Sequence, residues 1–241
     1  METDRDREFP PIRDVQALES TAAAVTATNH LGSKSNPAFL SVRDDLFRRL
    51  HSDFLKPRGY VSRAGRSELR TPPILRAVLL RSSRWNTANR VRFDVNLKVA
   101  HDDYNPWTRI GARAGTGLKD VGLIDLGLAA LAGVPGKMWT LDASANVTAV
   151  EGQVRDALER IGLPILNRME TLEGIVSLYA ERGPAAGCVP RSWALVQLGR
   201  REEALKVVEA EMQQAPHEKA RSFASALLER IRRREDFRVG E

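Results

Sequence analysis

The sequence predicts an α+β protein, in which an antiparallel sheet of four to six strands packs against an N-terminal helix and a C-terminal group of helices. Three observations support this class. Apolar and polar residues alternate strictly over residues 91–99, apolar residues recur at helical spacing over 37–54, and the helical period returns from residue 148 onward. Strands that precede a run of helices are typical of α+β architecture.

Three segments are expected. Residues 1–36 lack large apolar residues at regular spacing and predict a flexible arm, because such a segment buries too little surface to offset its ordering entropy. Residues 37–147 hold the first helix and the sheet, and residues 148–241 hold the remaining helices. We expect these last two segments to pack together as one compact unit.

The first helix is predicted over residues 37–54. Its apolar side chains recur at helical spacing, at Leu40, Leu46, Phe47, Leu50 and Phe54. The K-P-R-G sequence that follows ends the helix. Short strands are then predicted at 60–65 and 67–71, around a tight turn at Gly65 and Arg66, and a longer strand at 75–83.

The central strand is the clearest periodic signal in the chain. Its buried face is predicted to carry Val91, Phe93, Val95, Leu97 and Val99, and its other face Arg92, Asp94, Asn96 and Lys98. A slip of one residue would expose all five apolar side chains to water. The register of this strand is therefore strongly specified.

Residues 112–136 are rich in glycine and aliphatic residues, which predicts a hairpin or a short apolar helix. A phosphate-binding loop is the alternative, and it would use Gly115, Gly117 and Lys119, because the amides of a G-x-G sequence can approach an anion. The spacing matches neither G-x-x-x-x-G-K-[ST] nor G-x-G-x-x-G. A hairpin or a short apolar helix is therefore favoured over a phosphate-binding loop.

The C-terminal part predicts a series of helices. Thr148 and Glu151 fit a capping box at the start of a helix that Gly162 would close. A second helix over 165–181 is interrupted near Thr171, and a helical hairpin turns at Gly199. The last helix spans 217–234 and is predicted to bury Phe223, Leu227, Leu228 and Ile231. Its terminal arginines at 230–234 suit the helix dipole, with a nucleic-acid contact as the alternative.

Several of these pieces together resemble the bacterial domain-of-unknown-function family 4304. They are L-K-P-R-G-Y at residues 55–60, S-R-W at 83–85 and F-D-V-N-L at 93–97, followed by T-R-I-G at 108–111, K-M-W-T-L at 137–141 and G-L-P-I-L at 162–166. The likeness covers residues 37–205, and residues 112–136 depart from it. The resemblance implies a fold and supplies no catalytic residues.

Composition restricts the class of protein. No apolar run approaches the roughly 18 residues of a membrane span, and the polar start METDRDREFPP does not resemble a secretory signal. We therefore expect a soluble cytoplasmic protein with no membrane partner. Cys188 is the only cysteine, which excludes an intrachain disulfide or a thiolate metal cluster, and it is interpreted as a bystander thiol.

The net charge of +6 is concentrated in the middle of the chain. Counting Lys and Arg minus Asp and Glu, residues 1–36 carry 4 − 6 = −2, residues 37–141 carry 18 − 9 = +9, and residues 142–241 carry 15 − 16 = −1. The excess indicates either an anionic partner or a solvated surface in a chain that uses Arg more often than Lys, 30 to 7. The solvated surface is the simpler interpretation.

The hairpin after residue 83 is the first candidate site. Arg84, Trp85, Asn86 and Arg90, with Asn96 on the outward face of the next strand, could form a recognition patch of indole, guanidinium and amide groups. The alternative is that Trp85 closes the end of the core while Asn86 and Asn89 form the turn.

The second candidate site is His101, Asp102 and Asp103, just after the central strand. An imidazole and two carboxylates could bind a divalent cation or perform acid-base chemistry. Consecutive residues in a turn rarely converge on one ion, so ordinary turn-forming residues are the favoured interpretation, with no metal site and no cofactor.

The sequence contains no catalytic motif, and it favours a non-catalytic module that binds a partner protein or a small ligand. Two alternatives remain open. One is a nucleic-acid-associated protein that uses the basic middle segment, and the other is a hydrolase centred on His101 and Asp103.

Overall fold

The structure is a computed structural model that describes residues 37–63, 65–87, 89–104 and 122–233. The predicted arm at 1–36, the T-R-I-G piece, and Gly115, Gly117 and Lys119 of the alternative phosphate loop lie outside these residues.

One antiparallel sheet forms the centre of the fold. Its strands are β1 (Val61–Arg63), β2 (Arg66–Thr71), β3 (Ile74–Ser82), β4 (Arg90–His101), β5 (Ile124–Gly127) and β6 (Trp139–Asp142). The strands β1 to β4 are neighbours in chain order, and β5 and β6 lie one after the other along the far edge of β4. This arrangement, with the helices below, confirms the predicted α+β class.

The β4 strand has partners on both sides. It pairs with β3 from Ile74 opposite His101 to Ser82 opposite Phe93. The five apolar side chains of its inner face, from Val91 to Val99, are fully buried. The predicted register is therefore correct.

Helices pack on that inner face and on one another. They are α1 (Pro37–Arg49), α2 (Leu128–Leu131), α3 (Val147–Ala157), α4 (Leu163–Arg168), α5 (Leu172–Ala180), α6 (Cys188–Gln197), α7 (Arg201–Gln214) and α8 (Glu218–Arg232). The first continues as a π-helical turn (Leu50–Leu55) and ends near Gly59, whose φ of 85° suits glycine. One hydrophobic core joins the sheet and the helices, with Phe54, Phe93, Leu158 and Trp193 among its members. In the described ranges, no helix has the length and apolar character to cross a bilayer.

Two predictions about α3 are wrong. Its N-cap is Asn146, whose Oδ1 accepts a hydrogen bond from the Ala149 amide at 3.1 Å, so Thr148 and Glu151 form no capping box. Glu151 instead pairs with Arg49 of α1. The helix also does not close at Gly162, because a π-helical turn (Leu158–Gly162) leads directly into α4. A Cβ at Gly162 would lie 3.3 Å from both Leu97 and Leu128, so close packing explains this glycine.

The later helices follow the prediction more closely. Thr171 caps α5 and separates it from α4, in agreement with the predicted interruption. Leu227, Leu228 and Ile231 of α8 are buried, whereas Phe223 is 37% exposed, contrary to prediction. His217 caps α8, because its Nδ1 accepts a hydrogen bond from the Ala220 amide at 3.1 Å.

A buried carboxylate joins β4 to the strands on its far edge. Neither β5, which pairs with residues 96–99, nor β6, which pairs with residues 90–93, reaches Asp94 and Val95. The Asp94 Oδ1 fills this gap by accepting hydrogen bonds from the amides of Val95 at 2.7 Å and Ala129 at 2.9 Å. A Cβ at Gly127 would lie only 2.3 Å from Asp94 Oδ2, so glycine is required for this approach. Asp94 was predicted to face outward, but it is buried.

Burial of Asp94 makes the stability of the protein depend on pH. Desolvation raises the pKa of this carboxyl to about 6, although its two backbone hydrogen bonds oppose the rise. The folded state therefore keeps a proton that the unfolded chain loses from about pH 4, and stability falls as pH rises through this interval, by up to about 3 kcal/mol.

We expect Asp94→Asn to remove this part of the pH dependence while keeping the oxygen that accepts both hydrogen bonds. Urea unfolding of both proteins at about pH 4 and about pH 7 measures how much the free energy of unfolding changes with pH in each. Every other carboxyl contributes equally to this change in the two proteins, so the difference between them belongs to Asp94. Equal losses of stability in the wild type and the variant would contradict the assignment.

Candidate binding surface

The β3–β4 hairpin is held in one conformation by hydrogen bonds to its own backbone. Asn86 is buried, and its Oδ1 accepts from the Arg92 amide at 2.7 Å. The Ser83 amide donates to the Arg92 carbonyl at 2.9 Å, and the Thr87 amide to the Arg90 carbonyl at 2.9 Å. Asn86 therefore forms the turn, as one of the two sequence interpretations expects.

Trp85 projects from this hairpin into solvent. Its side chain is 69% exposed, and its amide donates to Ser83 Oγ at 3.1 Å. The guanidinium carbon of Arg84 lies 4.9 Å from the centre of the indole ring, in a cation–π contact. The structure thus places Trp85 outside the core and presents an aromatic surface with a cation stacked on it.

Three further arginines lie beside the hairpin on the second face of the sheet. The β3–β4 register and the alternation of side chains place Arg81, Arg90 and Arg92 on the same face. Arg92 donates from Nη2 to the Gly136 carbonyl at 3.1 Å, and Arg81, Arg84 and Arg90 are exposed. Within the described parts of the chain, none of the four has a carboxylate within 4 Å. We call Trp85 with these four arginines the hairpin surface.

The nearest carboxylates are bound elsewhere. Asp142 faces Arg90 across the β4–β6 register, but its Oδ1 accepts from the hydroxyl and the amide of Ser144, and these hydrogen bonds lower its pKa. Asp94 faces Arg81 across β3–β4 and binds backbone amides instead. The charges of Arg81 and Arg90 still act on these two carboxyls and favour a lower pKa in each, but within the described chain neither carboxylate lies within 4 Å of a hairpin arginine.

Many arginines in the rest of the described structure have acidic partners. The pairs include Arg48 with Asp45, Arg49 with Glu151, Arg58 with Glu159, Arg70 with Asp102, Arg76 with Glu170, Arg160 with Asp156, Arg168 with Glu181, Arg200 with Glu203 and Arg232 with Glu209. Arg155 and Arg221 are also exposed without a carboxylate within 4 Å in the described chain, but they lie singly on two helices, whereas the four hairpin arginines lie together. The contrast marks the hairpin as a place where a partner could supply the negative charge.

Asn96, the fifth residue of the predicted patch, lies apart from the other four. It is six residues beyond Arg90 along β4, about 20 Å away at the rise of a strand. The side chain is only 3% exposed, and its amide nitrogen donates to Asp125 Oδ1 at 2.6 Å. Asn96 therefore belongs to the interior of the second face and not to the hairpin surface.

His101, Asp102 and Asp103 do not converge on one point, although Asp103 Oδ2 lies 3.9 Å from His101 Nδ1. Asp102 accepts both hydrogen bonds of Arg70, at 3.0 and 3.2 Å, while the side chain of Asp103 is mostly exposed. Across the described ranges, no set of three or more His, Cys, Asp or Glu side chains is arranged to hold a metal ion.

The environment of His101 favours a structural role. Its ring packs edge-on against Trp193, with centroids 4.8 Å apart, and burial lowers its pKa. Its Nδ1 accepts from the Asp103 amide at 3.1 Å, so the neutral ring carries its proton on Nε2. A histidine base oriented by a carboxylate has the opposite tautomer, with Nδ1–H donating and Nε2 free to accept a proton.

Sequence reasoning missed Arg81 and Arg92 as members of the surface. Their contribution depends on the hairpin register, which sets Ser83 opposite Arg92 and Arg81 opposite Asp94. Extending the alternation of β4 back through the turn into β3 would have placed both with Arg90.

Comparison with known proteins adds no relative, because no family model, curated protein or solved structure matches the chain. The likeness to domain-of-unknown-function family 4304 stays a prediction.

Proposed function

We propose that the protein is a non-catalytic binding module that takes an acidic segment of a partner protein onto the hairpin surface. The single observation behind this proposal is an exposed tryptophan among four arginines that, in the described parts of the chain, have no carboxylate within 4 Å.

The residue types suit this role. Tryptophan and arginine are enriched at the centres of protein interfaces, where truncation of one such residue often weakens binding by about 2 kcal/mol or more. The planar guanidinium group binds a carboxylate through two parallel hydrogen bonds. The hydrogen-bonded turn presents Trp85 in a fixed position, which lowers the ordering entropy lost on binding.

An acidic protein segment fits the surface better than single-stranded nucleic acid does. Proteins that bind single strands stack successive bases on several aromatic side chains along a basic groove. In the described structure, the exposed large apolar side chains are Val61, Trp85 and Phe223, so the sheet presents one such ring. A single ring with arginines around it matches a protein interface.

A fluorescent peptide rich in glutamate and aspartate, with a central leucine, is a suitable probe. We expect Trp85→Ala to weaken binding of this peptide at least about thirtyfold, which corresponds to the roughly 2 kcal/mol of an interface hot spot. Phe223→Ala, which removes an exposed ring from α8, is the matched control and is expected to leave the affinity unchanged.

Two results would overturn the proposal. One is equal affinity of wild type and Trp85→Ala for the peptide. The other is tighter binding of a thymidine oligonucleotide than of the peptide, with the same dependence on Trp85, which would assign the surface to nucleic acid.

A further inference from the structure

We infer that the hairpin surface is also an autoinhibitory site, occupied by the chain's own acidic N-terminal segment until a partner displaces it. This inference rests on the proposed function and concerns the regulation of the same surface. The occupant is the stretch from residue 2 to residue 19, within the 36 residues that precede α1.

The described chain begins close to the hairpin. Arg43 of α1 donates from Nη1 to Ser82 Oγ, and Ser82 is the last residue of β3 before the hairpin. Pro37, where α1 begins, is six residues before Arg43, about 9 Å along the helix axis. Helix α1 therefore lies against the end of the sheet that carries Trp85.

The length of the segment is sufficient for it to reach the surface. Residue 19 is separated from Pro37 by 17 residues. Such a stretch spans up to about 55 Å when fully extended. This reach is several times the rise of about 9 Å between Pro37 and Arg43, whose side chain contacts Ser82.

Its charge is opposite to that of the hairpin surface. Residues 2–19 contain the acidic side chains Glu2, Asp4, Asp6, Glu8, Asp14 and Glu19 and three arginines, which gives 3 − 6 = −3. The hairpin surface presents four arginines with no carboxylate within 4 Å in the described structure. Phe9 and Ile12 lie between the acidic residues and provide apolar groups for Trp85.

Covalent linkage strengthens a contact of this kind. A short flexible tether holds two linked groups at an effective concentration of the order of millimolar, so even a weak contact is populated. A partner must then compete with the tethered segment, and its apparent affinity falls in proportion to the fraction of free surface.

The first test is made in the full chain. We expect the triple variant Asp4→Asn, Asp6→Asn, Glu8→Gln to bind the acidic peptide probe about three- to tenfold more tightly than wild type, as expected when a competing segment is released. The matched control is Glu173→Gln, Glu202→Gln, Glu218→Gln, which changes the net charge equally at exposed positions in α5, α7 and α8. Equal tightening in both variants would show a general charge effect and would overturn the inference.

The second test detects the contact without any partner. A nitroxide on Glu8→Cys, in a Cys188→Ser background, is expected to broaden the indole N–H resonance of Trp85, which Trp85→Phe identifies. Addition of the acidic peptide should restore that resonance. An unaffected Trp85 resonance would overturn the inference.

The two proposals can fail separately. Trp85-dependent peptide binding without broadening contradicts autoinhibition alone. The proposed function is contradicted if the Trp85 resonance is broadened but the peptide does not bind, even to the Asp4→Asn, Asp6→Asn, Glu8→Gln variant.

Discussion

Replacement of Gly187 by alanine is expected to lower the free energy of unfolding by about 3 kcal/mol or more. Gly187 has a φ of 62° and precedes α6, and a Cβ there would lie 2.2 Å from the Tyr179 ring. That ring cannot move aside easily, because it is buried and its hydroxyl donates to the Leu123 carbonyl at 2.6 Å. The left-handed backbone adds about 1 kcal/mol to the destabilisation.

Gly152→Ala is the matched control for this substitution. Gly152 lies inside α3, and a Cβ there meets nothing within 4 Å. We expect this variant to be about 0.5 to 1 kcal/mol more stable than wild type, because alanine favours a helix over glycine. Urea unfolding measures the free energy of unfolding of both variants. A decrease of less than about 1 kcal/mol in Gly187→Ala would contradict the packing of α6 against α5.

The second large effect concerns binding. We expect Arg81→Glu with Arg90→Glu to weaken binding of the acidic peptide more than about a hundredfold at low salt, because two attractive contacts become repulsive. The affinity of the wild type should also fall as salt increases, since exposed charges are screened over about 10 Å.

The control for this double variant reverses the charge of two arginines outside the hairpin surface. Arg48→Glu with Arg160→Glu changes the net charge by the same amount at exposed helical positions, where each arginine pairs with an aspartate. We expect this control to weaken binding only a few-fold. Similar losses in the two double variants would mean that net charge, and not the hairpin surface, determines binding.

The framework of the fold was predictable because it follows from periodicity. The alternation over β4 identified the central strand and its buried face, and Thr171 identified the start of α5. Such patterns depend on local geometry that every helix and strand shares.

The errors arose where tertiary contacts decide the outcome. Asp94 lies on the polar side of β4, and its burial depends on β5, β6 and α2, which pair around it from distant parts of the chain. Thr148 and Glu151 have capping-box spacing, but Asn146 caps the helix and Glu151 pairs with Arg49 instead. Phe223 has the right helical spacing but lies at the border of the buried stripe.

The candidate site was predictable in part. Arg84, Trp85, Asn86 and Arg90 were identified as a group, because one turn brings them together in sequence. Whether Trp85 closes the core or faces solvent depends on how Asn86 bonds across the hairpin, which the sequence does not reveal. In the described chain the hairpin arginines have no carboxylate within 4 Å, and this could not be predicted because it depends on the positions of side chains from distant parts of the sequence.

A map of backbone amide shifts during titration with the acidic peptide tests the binding surface most directly. We expect the largest changes on residues 81–92 and on the loop around Gly136, which contacts Arg92. Changes centred on β1, on α8 or on His101, with the hairpin unaffected, would contradict the proposed function.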